Sequence, residues 1–262
     1  MNNLNKKFAG GGVILLIKNQ EDRKEYIVLA KRTKNAPVYP DTHSCLFGGA
    51  DNIEEERCPI KATQRELSEE ILIYNEERNK SFSIDLSKIV NDSRGQYLLN
   101  ADEVRKEGKE LLSLWKGKLE EEGKKSKIQK CNDEIELLQP EFIDTLYYVD
   151  QDGQKEILVI KIEIPSLEKI ILLDGERIEE TNKLLDRKID VFEFNTFHNW
   201  WISNESDTLT ADFSFKIAKH SRRKGFVNRN KISPSFMIAL NVYRRDKTKT
   251  KLIIYCDIRS IA

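Results

Sequence analysis

The run Arg65-Glu66-Leu67-Ser68-Glu69-Glu70 packs three carboxylates into a short stretch of helical pattern. Residues three and four apart share a helix face, so Glu66, Glu69 and Glu70 project together. Charges of one sign this close repel strongly unless a cation sits among them. Oxygen-only ligands suit a hard ion, Mg²⁺ or Mn²⁺. Gly48 and Gly49 precede the run, and backbone without Cβ allows a metal or phosphate to come close. The segment Phe47 to Ile73 therefore reads as a divalent-metal site built on a helix, with Gly49 counted among its residues.

Several elements must position that helix. Gly10 to Ile17 reads as a buried strand, Lys18 to Lys24 as a turn, and Tyr26 to Arg32 as the returning strand of a hairpin. Ser44 to Phe47 reads as a short strand running into the glycine pair. Pro59 suits the first turn of the next helix, where its missing N–H does no harm. Ile60, Leu67 and Ile71 then form the inner face. Residues 75 to 94 read as loop and edge strand. Ala101 to about Glu122 has helical periodicity, Gly123 to Ser126 breaks it, and a second short helix is expected over Lys127 to Leu138. Thr145 to Val149 and Glu156 to Ile164 read as a hairpin turning at Asp150 to Gly153. Leu167 to Leu172 reads as a further strand or edge, Asp174-Gly175 as a turn, and Glu176 to Leu185 as a helix. A strand at Lys188 to Phe194, a helix at Pro234 to Tyr243 capped by Ser233, and a strand at Leu252 to Asp257 follow. This order is mixed α+β rather than a regular βαβ alternation.

The 262 residues suit one large domain or two small ones. Lys+Arg 44 balances Asp+Glu 44, which gives no overall pull toward nucleic acid or an anionic membrane. The dense basic cluster at 216–231 keeps a nucleic-acid partner open, although a solvated loop is the plainer reading. The start lacks the apolar run of a secretory signal, and no stretch approaches the ~18 apolar residues of a membrane span. Cys45, Cys58, Cys131 and Cys256 form no CxxC pair, so a reduced cytoplasmic setting is expected.

With these residues in view, the chain resembles the Nudix hydrolases. Their signature is G, five residues, E, seven residues, then R-E-aliphatic-x-E-E-x-G-aliphatic. Arg65 to Ile73 matches the second half, with Leu72 in place of the glycine. Five residues on from Gly49 comes Glu55, but nine then separate Glu55 from Arg65. Either two residues are inserted or the first glutamate is lost. The resemblance covers roughly residues 8 to 75 well and 145 to 195 loosely. It implies an α/β/α sandwich with a mixed sheet over 1–197, carrying an inserted helical pair at about 76–140 and a C-terminal extension at 198–262.

The resemblance also implies chemistry. A metal held by Glu66, Glu69 and Glu70 would neutralise phosphate charge and lower the pKa of a water. One of these glutamates, or one on a later loop, would serve as general base. Arg65 would orient the helix against the glycine loop by pairing with Glu55 or Glu54. A further acidic ligand is sought among Glu176, Glu179 and Glu180. Arg32, His43, Glu55, Glu179, Arg222 and Arg223 are the substrate-binding candidates. His220 reads as a surface residue, His198 beside Trp200-Trp201 as a candidate to help an aromatic base platform, the tryptophan pair itself as packing or an interface, and Cys45 and Cys58 as structural. The implied substrate is a nucleotide whose pyrophosphate links a nucleoside to another group. Nucleotide binding without efficient chemistry is the alternative, and a homodimer stays open.

Overall fold

The structure, a computed structural model, describes residues 8–36, 39–89, 100–150, 153–178, 183–186, 188–203, 205–216, 219–221, 225–234, 236–237, 239 and 254–255. The chain opens with β1 (Phe8–Asn19) and β2 (Glu25–Lys31), the hairpin expected from their apolar runs. The short β3 (His43–Ser44) and β4 (Leu46–Gly49) lead to α1 (Ile53–Arg57) and α2 (Pro59–Glu70). Then come β5 (Ile71–Asn75), β6 (Lys80–Ile84), α3 (Ala101–Glu121) and β7 (Ile135–Leu138). The long hairpin β8 (Glu141–Asp150) and β9 (Gly153–Ile164) precedes β10 (Ile170–Ile178), β11 (Lys183–Asp186) and β12 (Lys188–Glu193). The chain continues through α4 (Phe194–Ser203), β13 (Thr208–Thr210), β14 (Phe213–Lys216), β15 (Lys219–Ser221), β16 (Phe226–Asn228) and β17 (Ile254–Tyr255).

Two sheets carry the architecture. The larger runs β15-β14-β12-β2-β1-β9-β8-β17, with β3 on β2 and β4 on β1. It is mixed, because β1–β9 and β8–β17 are parallel while its other pairs are antiparallel. The smaller runs β11-β10-β5-β6-β7. Strand alternation sorts the core into three layers. Val13, Leu15 and Ile17 of β1 meet Leu67 of α2 and Ile71, Ile73 and Leu172 of the smaller sheet. Ile14 and Leu16 face the other way, into Phe197, Trp200 and Trp201 of α4. Leu72, Tyr74 and Leu173, on the far face of the smaller sheet, take Leu112, Trp115 and Leu119 of α3. The larger sheet thus lies between α2 and α4, an α/β/α arrangement within a mixed α+β fold.

Several expectations fail, most of them because pairing with distant strands overrides a local pattern. The helix over Lys127–Leu138 is a 3-10 turn at Lys127–Lys130, held by a capping box at Ser126, followed by β7. Ile128 and Ile135 enter the α3 core, so the second helix of the insert is replaced by an edge strand. The helix over Glu176–Leu185 is instead a hairpin of β10 and β11, pairing Gly175 with Asp186 and Ile178 with Lys183. Charged residues on this edge gave a helical pattern that sheet pairing overrides. Asp174-Gly175 lies inside β10, not at a turn. Helix α2 stops at Glu70, so Ile71 enters β5 in extended conformation (φ −121°, ψ 129°). Leu72, where the Nudix signature has glycine, is fully buried against the α3 layer.

Pro234 begins the expected helix, with Ser233 Oγ accepting from the Phe236 N–H at 3.4 Å. Its remainder beyond 239 lies outside the described residues, as do residues 90–99 of the insert, Cys256, and all but Ile254 and Tyr255 of the last strand. Among the described residues no helix is long and apolar enough to cross a membrane.

The glycine run in β1 decides how closely α2 approaches the sheet. A Cβ on Gly11 would lie 2.3 Å from the Pro59 carbonyl oxygen and 2.4 Å from Thr63 Oγ1. The helix start is backbone and cannot yield as a flexible side chain would. Gly11→Ala is expected to cost about 2 kcal/mol through overpacking, read as a fall in denaturant midpoint at unchanged slope.

Candidate functional site

Arg65 is the centre of the site. Its Nε lies 3.0 Å from Glu55 Oε1, and Nη2 donates to the Gly49 carbonyl at 2.9 Å. Nη2 also reaches Asp51 at 3.0 Å, while Nη1 lies 2.9 Å from Glu66 and 3.1 Å from Glu69. One guanidinium thereby ties the end of β4, the following loop, α1 and two turns of α2. Glu55 is only 6% exposed at its side chain, so this pair is largely shielded from water. Burial works against the Arg65 charge, but Glu55, Glu66 and Glu69 outweigh it and hold the guanidinium firmly protonated.

Short helix α1 brings Glu55 into place. Asn52 caps it by accepting from the Glu55 N–H at 3.0 Å, and Glu55 Oε2 accepts from the Asp51 N–H at 2.9 Å. The chain breaks at Cys58 and restarts with Pro59 at the head of α2. Two helices at a break absorb the longer spacing between Glu55 and Arg65. Of the two partners considered for Arg65, Glu55 is the one it meets. Glu54, the other partner considered, is exposed and pairs with Lys61 at 2.7 Å.

The remaining carboxylates divide. Glu66 is 14% exposed at its side chain and lies where a Cβ on Gly48 would fall 1.9 Å from its Oε1. Glu69 opens on a cleft of about 420 Å³ bounded by α1, α2 and the first turns of α3. Burial pushes its carboxyl up; Arg65 offsets part of this, while the charges of Glu107 and Glu70 add to the rise. Glu70 is half-buried at the last turn. Among the described residues, no three His, Cys, Asp or Glu side chains surround a common point as metal ligands. The nearby carboxylates converge on Arg65 instead. The expected set of Glu66, Glu69 and Glu70 is all oxygen, the donor type a hard cation takes, but the three are not gathered about one point.

Other candidates lie apart from this group. His43 is 1% exposed, with Nε2 2.9 Å from Asp190 Oδ2, between β3 and β12. Arg32 follows β2, and its backbone N–H donates to Thr42 O at 2.9 Å. Glu176 is a residue of β10 whose side chain is not described; Glu179, Glu180, Arg222 and Arg223 lie outside the described residues. Of the basic cluster, Arg229 donates to the Trp200 and Trp201 carbonyls at 2.6 and 2.9 Å. It closes the C-terminal end of α4 and stacks 4.8 Å from the Trp200 ring. Cys45 and Cys58 are buried free thiols, the former pushed up to about 12 by burial, which suits packing rather than nucleophilic chemistry. Sequence reasoning missed the contribution of α3 to the cleft; nothing in its spacing relates it to α2.

No family model matches the sequence, and no curated protein does. Several solved structures are similar, two of them as follows. One is a MutT/nudix family protein from Enterococcus faecalis, 10% identical over 95% of this chain, with a TM-score of 0.30. The other is a NUDIX hydrolase from Alicyclobacillus acidocaldarius, 12% identical, with a TM-score of 0.32, covering 76% of this chain and 85% of that one. The chain spans 65% of the length of the Enterococcus protein.

Two outcomes are expected. Gly48→Ala forces Glu66 from its seat and lowers stability by about 1–2 kcal/mol, measured by chemical unfolding. The second concerns Asp190. Burial pushes its carboxyl up, but the His43 hydrogen bond and the Lys188 ammonium at 3.0 Å prevail and hold it below the usual Asp value. A lowered carboxyl stabilises the fold above its unfolded value and loses that contribution as pH falls through the folded one. Asp190→Asn is expected to cost about 2 kcal/mol at pH 7, with the difference from wild type shrinking below about pH 4. The two stretches that resemble the halves of the Nudix signature, nine residues apart in sequence, meet through Glu55 and Arg65 on a mixed α+β fold.

Proposed function

We propose that the chain is a Nudix-type hydrolase that cleaves the pyrophosphate bond of a nucleoside diphosphate linked to another moiety, with Mg²⁺ or Mn²⁺ as cofactor. The supporting observation is the 3.0 Å contact between Glu55 and Arg65, which restores the pairing of the box across two extra residues. Pyrophosphate resists hydrolysis because its anionic oxygens repel incoming water. The residues to hold the cation are Glu66, Glu69 and Glu70, with Gly49 beside them. When bound, the cation supplies charge neutralisation and Lewis acidity.

The protein's own groups do the rest. Arg65 seats the acidic turn of α2 against the Gly48-Gly49 strand end. A glutamate of this group that does not hold the cation, or one on a later loop, takes a proton from the attacking water; Glu69 opens on the cleft. Nucleotide binding without turnover is the second reading, favoured by the engagement of both Glu66 and Glu69 with Arg65.

The test is a panel of nucleotide pyrophosphates incubated with Mg²⁺ or Mn²⁺, with products identified by mass. Wild type is expected to release a nucleoside monophosphate. Glu69→Gln and Glu70→Gln are each expected to lower kcat/KM by about 10³-fold while Tm stays within a few degrees. Undiminished turnover in both variants refutes the assignment. Tight nucleotide binding with no product favours the second reading.

A further inference from the structure

One nitrogen of Arg65 sits on the oxygens expected to hold a cation. Nη1 lies 2.9 Å from Glu66 Oε1 and 3.1 Å from Glu69 Oε2. We infer that Arg65 is an internal competitor for the cation: Nη1 holds Glu66 and Glu69 closed, and a divalent ion gains them only as Nη1 withdraws. The inference rests on the hydrolase reading for the cation and its ligands, and it adds a regulatory contact to that site.

Helix geometry does not impose this contact. Consecutive residues of a helix do not face each other, so Arg65 and Glu66 would ordinarily stay apart. Glu66 is seated over Gly48, where a Cβ would lie 1.9 Å from its Oε1, and from that seat it reaches Nη1. Glu69 comes from the next turn, in the weaker order for a helical pair, basic residue first. Both carboxylates are therefore gathered by the guanidinium rather than by the helix.

The guanidinium has two sides of unequal strength. Nε and Nη2 hold the buried Glu55, the Gly49 carbonyl and Asp51. On the Nη1 side, Glu69 is 35% exposed and opens on the cleft. Water weakens an exposed pair more than a shielded one. Nη1 can thus leave its carboxylates while the Glu55 side stays docked. That docking also keeps Nη1 close to them, at high effective concentration. A site open for part of the time binds with an affinity lowered by its open fraction. An arginine that only orients the helix predicts the opposite sign, because its removal would loosen the acidic turn and weaken metal binding.

Mn²⁺ binding to the full chain, followed by the electron paramagnetic resonance of the free ion, separates the two roles. Arg65→Gln is expected to bind Mn²⁺ about tenfold more tightly than wild type. Arg65→Lys keeps one positive charge for Glu55 but lacks the fork that spans several carboxylates. It is expected to gain about threefold at unchanged net charge, and it serves as the test where Arg65→Gln does not fold. Adding Glu69→Gln to either variant is expected to abolish the gain. Equal or weaker binding in either folded variant, no Mn²⁺ binding by any of them, or a gain that survives Glu69→Gln each overturns the inference. Failure of the hydrolase reading is seen separately, as absence of product from wild type in the nucleotide panel, and does not alter this comparison.

Discussion

A single guanidinium holds the candidate site together. Arg65 reaches two elements that the sheet alone does not fix, the loop after β4 and helix α1, and secures both to α2. Its partner Glu55 is buried, so the ion pair is short of water and removal of either member strands a charge. The same contact neutralises part of the charge on Glu66 and Glu69. An acidic turn that would repel itself is thereby folded in advance of any ligand.

This arrangement depends on close packing beneath it. Gly11 allows the start of α2 to rest on β1, and Gly48 leaves space for the Glu66 carboxylate. Parallel pairing of β1 with β9 from Gly10↔Lys155 to Asn19↔Ile164 holds that strand along its length. Beyond α2, the smaller sheet and α3 form an extra layer, with Trp115 fully buried at its centre. That layer brings the insert to the edge of the site.

Much of the site was legible because its signals are local. Strand alternation in Gly10–Ile17, the proline before α2 and the i, i+3, i+4 glutamates each act over a few residues. The pairing of Glu55 with Arg65 was legible only as an alternative, because spacing alone does not show that a second short helix absorbs two residues. The hairpin at β10 and β11 and the strand at Ile135–Leu138 were misread for the opposite reason. Their charged, alternating segments are settled by distant partners: Tyr74 opposite Ile171, and Phe82 beside Glu136. The buried His43–Asp190 pair was likewise hidden, since 147 residues separate its members. The cleft was illegible altogether, as it exists only where α3 folds back across α2.

The central claim is that Glu55 and Arg65 act as a unit joining the two halves of the box. A double-mutant cycle with Glu55→Gln, Arg65→Gln and the double variant, read by denaturant unfolding at neutral pH, tests it most directly. The account predicts a coupling of at least about 1.5 kcal/mol, because the pair is shielded and charge-assisted. Additive losses, with a coupling below roughly 0.3 kcal/mol, would contradict it.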